Sequence, residues 1–241
     1  MAGVDDLQAR GRDGDIPVRL VRPVPGLDRD APLIVYLHGG GWVGGDIDAA
    51  DGFCRALANR SGAAVASIGY RVAPEHRYPA AFDDCVDAVD WLVAAAPALG
   101  VDAARVVLVG DSAGATLVAS TAANYAERGN SPVGMQVMLY PALDPRAESE
   151  THRRYGDMSL ALRTDDMRWF WQTYAGDRAV TSWQFTPSAY PHLDRLPRTI
   201  LVTAEFDPLR AEGEEFGARL WAAGVPVVSW CAARRFTDSS G

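Results

Sequence analysis

Residues 105–114 read RVVLVGDSAG, an apolar run that passes without a gap into glycine, aspartate, serine, alanine and glycine. A continuous apolar run of this length suits a strand buried on both faces of a parallel sheet. Residues 112–128 that follow read as a helix. A Gly-x-Ser-x-Gly set between a buried strand and a helix is the context of a nucleophile elbow, a sharp turn that lifts a serine hydroxyl above the sheet. Gly110 and Gly114 suit a turn whose neighbours must pass closely. The helix N-terminus beneath Ser112 favours developing negative charge, and the backbone N–H of Ala113 is a natural oxyanion donor. The five residues alone are a weak signal, because glycine, serine and alanine are common; the strand before and the helix after give the motif its weight.

Outward from this stretch the same alternation recurs. Strands are expected at 16–21, 33–37, 63–68, 135–139, 199–203 and 225–230, and helices at 53–59, 81–95 and 209–223. Pro97 closes the helix over 81–95, and Gly224 closes the helix over 209–223. Strands and helices alternating at this spacing predict an α/β class, a mostly parallel twisted sheet with helices on both faces. Residues 144–190 break the rhythm with charges, Trp169, Phe170, Trp171 and Trp183 and no clear strand. That is too long for a bare loop, so it reads as a helical insertion over one end of the sheet. Its role is a lid or pocket wall, or a packed hairpin without contact to substrate. Ligand sites of such sheets lie at the C-terminal ends of the strands.

Composition narrows the function. The chain has 241 residues, 48% hydrophobic and 22% charged, which suits one globular domain with a sizeable core. Its 23 basic and 31 acidic residues give a net charge of −8, which disfavours a nucleic-acid partner. All the basic residues are arginine, so chemistry that needs a lysine amine is excluded. Cys54, Cys85 and Cys231 form no C-x-x-C pair and read as buried free thiols of a reducing compartment. Residues 1–15 are polar and carry no apolar signal segment, and no run is long enough to span a bilayer. A cytoplasmic protein without membrane association is the expectation.

A second signal follows the strand at 33–37, where residues 38–42 read HGGGW. Consecutive glycines let backbone N–H groups turn toward a ligand, as in the oxyanion loop of lipases and esterases. His38 reads as a side chain that fixes this loop by hydrogen bonds rather than as a base. Together with YRVAPEHRYPAA at 70–81, GDSAG at 110–114 and EFDPLRAEG at 205–213, the chain resembles the hormone-sensitive-lipase-like family of serine carboxylesterases, a branch of the α/β-hydrolase fold. The resemblance spans roughly residues 16–230, with the four motifs in the family's order.

The resemblance implies one α/β-hydrolase domain over 1–241 with a cap insertion at about 144–190. It implies hydrolysis of small carboxylic esters with short to medium acyl chains through an acyl-enzyme, with no metal or organic cofactor; a homodimer is the candidate assembly. Ser112 is then the nucleophile, Gly40, Gly41 and Ala113 supply oxyanion donors, and Asp207 is the acid that orients a histidine. The Ser…Asp…His order supports Asp207 independently, with Asp194, Glu205 and Asp238 as rivals. Asp111 fixes the elbow, and Glu75 and His76 lie in a loop that braces the site.

One member of the triad has no counterpart. The family places its histidine after the last strand, whereas His38, His76, His152 and His192 all precede Asp207. The family's spacing from Asp207 lands on Thr237, and aligning Phe236 with the family's phenylalanine puts Arg234 in the histidine's place; neither is a neutral base. Both ends also look shortened relative to the family, as from truncation or a shifted reading frame. The expectation is an ester hydrolase whose turnover in this chain is impaired. The alternatives are a non-catalytic small-ligand binder on the same fold, or a remnant with its edge strand at 225–230 uncovered and open to association.

Overall fold

The alternating apolar runs assemble into an eight-stranded sheet in the computed structural model, which describes residues 3–24, 31–158, 162–177 and 179–233. The strands are β1 (Val4–Gly11), β2 (Gly14–Val21), β3 (Ala31–Leu37), β4 (Ala64–Ile68), β5 (Val101–Asp111), β6 (Val133–Leu139), β7 (Arg198–Ala204) and β8 (Val227–Ala232). They lie in the order β1-β2-β4-β3-β5-β6-β7-β8. β2 pairs antiparallel with β1 and with β4; every other pairing, from β4 across to β8, is parallel. The α-helices among the described residues are α1 (Ile47–Ser61), α2 (Ala80–Leu99), α3 (Ala113–Arg128), α4 (Glu150–Tyr155), α5 (Thr164–Ala175) and α6 (Arg210–Ala222).

The central strands are buried on both sides, as their unbroken apolar runs require. Leu33, Val35 and Leu37 of β3 face one core, which also takes in α2, α3 and α6. Ile34 and Tyr36 face a smaller core with Ala50, Cys54 and Ala58 of α1. Helix ends follow local chemistry. The Asp46 carboxylate caps α1 by accepting the Ala49 N–H at 2.7 Å, and Gly62, at φ 71°, closes it in the left-handed conformation.

Three differences from the sequence reading have physical causes. β1 was not expected, because Val4–Gly11 is polar and rich in acids. It is an edge strand paired along its length with β2, and Arg19 bridges to Asp6 and Arg22 to Asp5 across the pair. Such cross-strand partners leave no apolar period to read. α2 runs past Pro97 to Leu99 instead of stopping before it: the proline forfeits one helical bond, but Leu92 and Ala96 of the helix stay packed in the core. α1 begins at Ile47, six residues before Phe53, behind its Asp46 cap.

Residues between β6 and β7 hold α4, α5 and two short 3-10 turns, and no strand among those described. β8 pairs only with β7 among the described residues, and its Val228 and Trp230 are 66% and 64% exposed. The thiols of Cys54 and Cys85 are buried and free, and Cys231 is half-buried. No helix among the described residues is long and apolar enough to cross a membrane.

Candidate active site

β3, β5, β6 and β7 end side by side, and their C-terminal loops carry the motifs. Leu37 pairs with Gly110, Asp111 with Leu139, and Leu139 with Val202. Ser112 stands between β5 and α3 at φ 51°, ψ −120°. A non-glycine residue held there costs on the order of 1–3 kcal/mol, so its surroundings must enforce it. The Leu139 carbonyl accepts the Ser112 N–H at 2.9 Å. A side chain at Gly114 would run into the carbonyl oxygens of Leu37 and His38, and one at Gly110 would meet the Gly114 carbonyl. The two glycines let α3 press against the end of β3 and hold the turn.

The glycine loop is fastened to this elbow. Asp111 Oδ1 accepts the Tyr36 hydroxyl at 2.6 Å and the Gly39 N–H at 2.9 Å. Gly40 and Gly41 have φ of 121° and 63°, and a Cβ on Gly41 would strike the Phe170 ring of α5. Their N–H groups have no acceptor among the described residues, whereas the Gly40 carbonyl takes the N–H groups of Val43 and Gly44 at 3.1 and 3.0 Å. Trp42 is fully buried, stacked on Tyr174 at 4.9 Å and tilted against Trp171 at 4.2 Å. Helix α5 thus packs directly on the glycine loop.

His38 points away from solvent. Its Nδ1 lies 2.8 Å from the Gly39 carbonyl, its ring stacks on Tyr70 at 4.1 Å, and burial pushes its pKa down. The Tyr70 hydroxyl donates to the His38 carbonyl at 2.5 Å, and Ala73 N–H to the Trp42 carbonyl at 2.8 Å. Arg71 grips the buried Asp84 through Nε, Nη2 and its own N–H. Glu75 and His76 are exposed, and Glu75 has no hydrogen bond or ion pair to a described residue; in the 70–81 motif the contacts to the loop come from Tyr70 and Ala73.

Asp207 follows β7 directly, and its Oδ1 accepts the Leu209 N–H at 2.9 Å. Burial pushes its pKa up, opposed by that N–H and by His152. Among its rivals, Asp194 is exposed and precedes β7, at the other end of the sheet; Asp238 lies outside the described residues, as do Arg234, Phe236 and Thr237. Tyr140, one residue past β6, lies near both acids. It sits at φ 38°, and burial with the nearby Asp111 and Asp207 pushes its pKa up to about 12. Tyr36, Tyr70 and Tyr140 were not singled out from sequence; Tyr36 precedes the glycine motif by two positions and Tyr70 opens the next, which is the signal that was there.

No histidine reaches the serine. His152 in α4 is buried against Thr164 and Glu212. His192 lies ahead of β7 beside Tyr190, whose hydroxyl bonds Glu127 of α3 at 2.6 Å. That is the end of the sheet opposite the elbow. Among the described residues no cluster of His, Cys, Asp and Glu is arranged to hold a metal ion.

Known proteins share this fold. The profile of a family described as alpha/beta hydrolase fold matches residues 34–234. An ethyl acetate hydrolase of Pseudomonas putida is 40% identical over 236 residues, covering 93% of this chain and 71% of its own. An arylesterase of Saccharolobus solfataricus is 32% identical over 229 residues, covering 93% of this chain and 73% of its own. Among solved structures, an esterase of Pyrobaculum calidifontis superposes with a TM-score of 0.91 at 38% identity, covering 96% of this chain and 76% of that one.

Proposed function

The chain belongs to the hormone-sensitive-lipase-like branch of the α/β-hydrolase family, whose relatives are carboxylic ester hydrolases, and on that premise we propose that it acts on small carboxylic esters with short to medium acyl chains through Ser112. The carrying observation is the strained Ser112 turn with a glycine loop tied to it through Asp111. In this reading Ser112 Oγ attacks the ester carbonyl, and the N–H groups of Gly40, Gly41 and Ala113 hold the oxyanion. The alcohol departs to leave an acyl-serine, and water releases the acid. Asp207 is the triad acid. His38 and Asp111 keep the glycine loop in register with the elbow, and the cap between β6 and β7 walls the site through Phe170 and Trp171.

The 241-residue polypeptide has no histidine after Asp207. Losing the base of such a triad costs up to about a million-fold in turnover, while the oxyanion hole and binding alone retain roughly a thousand-fold over water. Turnover by these 241 residues alone is therefore expected to be weak; a binder of small esters or acids on the same fold is the second reading. The test is p-nitrophenyl acetate and butyrate hydrolysis by the chain and by Ser112→Ala. Turnover lost in the variant supports the serine mechanism and requires a base from elsewhere in the chain. Equal rates refute turnover through Ser112, and ligand-induced stabilisation then decides for the binder.

A further inference from the structure

Helix α4 has six residues, yet it grips the turn that carries Asp207. Thr151 Oγ1 donates to the Pro208 carbonyl at 2.6 Å and accepts the Ala211 N–H at 3.1 Å. One residue on, the His152 side chain is 1% exposed and faces the Glu212 side chain of α6, 5% exposed, with Nε2 and Oε2 3.6 Å apart. Neither of these two atoms has a hydrogen-bond partner among the described residues.

The other ends of both side chains are committed. Glu212 Oε1 accepts the Leu143 N–H at 2.9 Å. His152 Nδ1 lies 3.3 Å from Thr164 Oγ1. The threonine hydroxyl has one hydrogen, and it goes to the His152 carbonyl at 3.0 Å. Toward the ring Thr164 Oγ1 is then an acceptor, so Nδ1 carries a proton. A neutral ring of that tautomer would aim a bare lone pair from Nε2 at a carboxylate oxygen, two buried acceptors face to face, which is costly. One further proton between them removes the conflict.

We propose that His152 and Glu212 share one buried proton between Nε2 and Oε2, and that this bridge locks α4 onto α6 and positions the turn bearing Asp207. Its meaning for chemistry rests on reading Asp207 as the triad acid; the bridge itself does not. The surroundings favour retaining a proton. Asp207 acts on the ring from the β7–α6 turn, and Asp144, held by Arg146, from the β6–α4 loop. On the side of α4 and α5, Glu148, Asp157 and Asp165 share a cleft with Arg153 and Arg168. On the side of α6, Glu215 and Arg219 line the other cleft that Glu212 borders.

The bridge has a linkage signature. In the unfolded chain a glutamate releases its proton near about 4.3 and a histidine near about 6.5. Above about pH 6.5 the unfolded pair holds no such proton while the folded pair holds one. Stability then falls as pH rises, by about tenfold in the folding constant per pH unit, until the folded pair releases it. Glu212→Gln keeps the contact, since its amide N–H donates to Nε2, but shares no titrating proton.

Urea unfolding of the native chain and Glu212→Gln between pH 6 and 9 tests this without ester turnover, so its outcome is independent of the esterase assay. The ratio of the two folding constants is expected to move against the native chain by up to about tenfold per pH unit above about 6.5. A ratio constant across this range overturns the proposal and makes the ring a neutral Nε2–H donor. Positioning is read by amide hydrogen exchange at Leu209 and Ala211. Protection is expected to drop about tenfold or more in His152→Ala and to survive in Glu212→Gln. Equal protection in His152→Ala and the native chain refutes the positioning role.

Discussion

Gly114→Ala sets two magnitudes of opposite sign against each other. Gly114 is the second residue of α3, and helix propensity alone favours alanine by about 0.5–1 kcal/mol. In the folded chain the added Cβ would lie 2.5 Å from the His38 carbonyl oxygen and 2.7 Å from the Leu37 carbonyl carbon. Both are main-chain atoms at the end of β3, where Leu37 is fixed by pairing with Ile68 and Gly110, so neither can swing aside as a side chain would. Overpacking of this kind costs roughly 1–3 kcal/mol. Taking about 3 for a contact with backbone and subtracting about 1 for propensity leaves a net loss of about 2 kcal/mol. With a urea slope of about 3 kcal/mol/M, the unfolding midpoint should fall by about 0.7 M. Gly52→Ala is the control. Gly52 lies in α1 with nothing within 4 Å of a new Cβ, so that change should raise the midpoint by about 0.2–0.3 M. If Gly114→Ala is as stable as the native chain while Gly52→Ala behaves as stated, the elbow does not depend on close approach of α3 to β3, and the steric reasoning is refuted.

Asp207→Asn should stabilise the fold at pH 7, because burial raises the acid's pKa and an ionised carboxylate there opposes folding; the gain should shrink as pH falls through the raised pKa, as followed by urea unfolding at pH 4 and 7. Trp42→Gly relieves a left-handed backbone at φ 61°, worth about 1 kcal/mol, but empties a fully buried indole site worth about 3–5, so a net loss of about 3 kcal/mol is expected in thermal unfolding. Asp84→Ala leaves Arg71 without the carboxylate it bonds through Nε and Nη2, and should cost about 2–4 kcal/mol in urea unfolding, where a loss below about 0.5 would show the pair to be dispensable.

Much of the frame was legible because buried parallel strands leave a compositional trace. LIVYL, RVVLV and TILVT read as strands on their own and form β3, β5 and β7, and the glycines at 40, 41, 110 and 114 mark tight turns in the sequence itself. β1 left no such trace, since an edge strand is held by backbone pairing and by Arg19 and Arg22 rather than by an apolar period. Pro97 misled because losing one helical bond does not end a helix held by packing, as α2 is through Val86, Val89 and Leu92.

The alternation of strand and helix, the strand-to-helix context of Ser112 and its place ahead of Asp207 could be read from chain order, because these are properties of residues along the chain. Tertiary structure alone decided which distant groups meet. The Asp111 carboxylate joins Tyr36 and Gly39 from 75 and 72 positions away, Phe170 of α5 closes on Gly41, and His152 faces Glu212 across two helices. Hydrogen bonds and packing between such groups depend on distance in space, which chain order does not encode until the sheet has fixed where each loop ends.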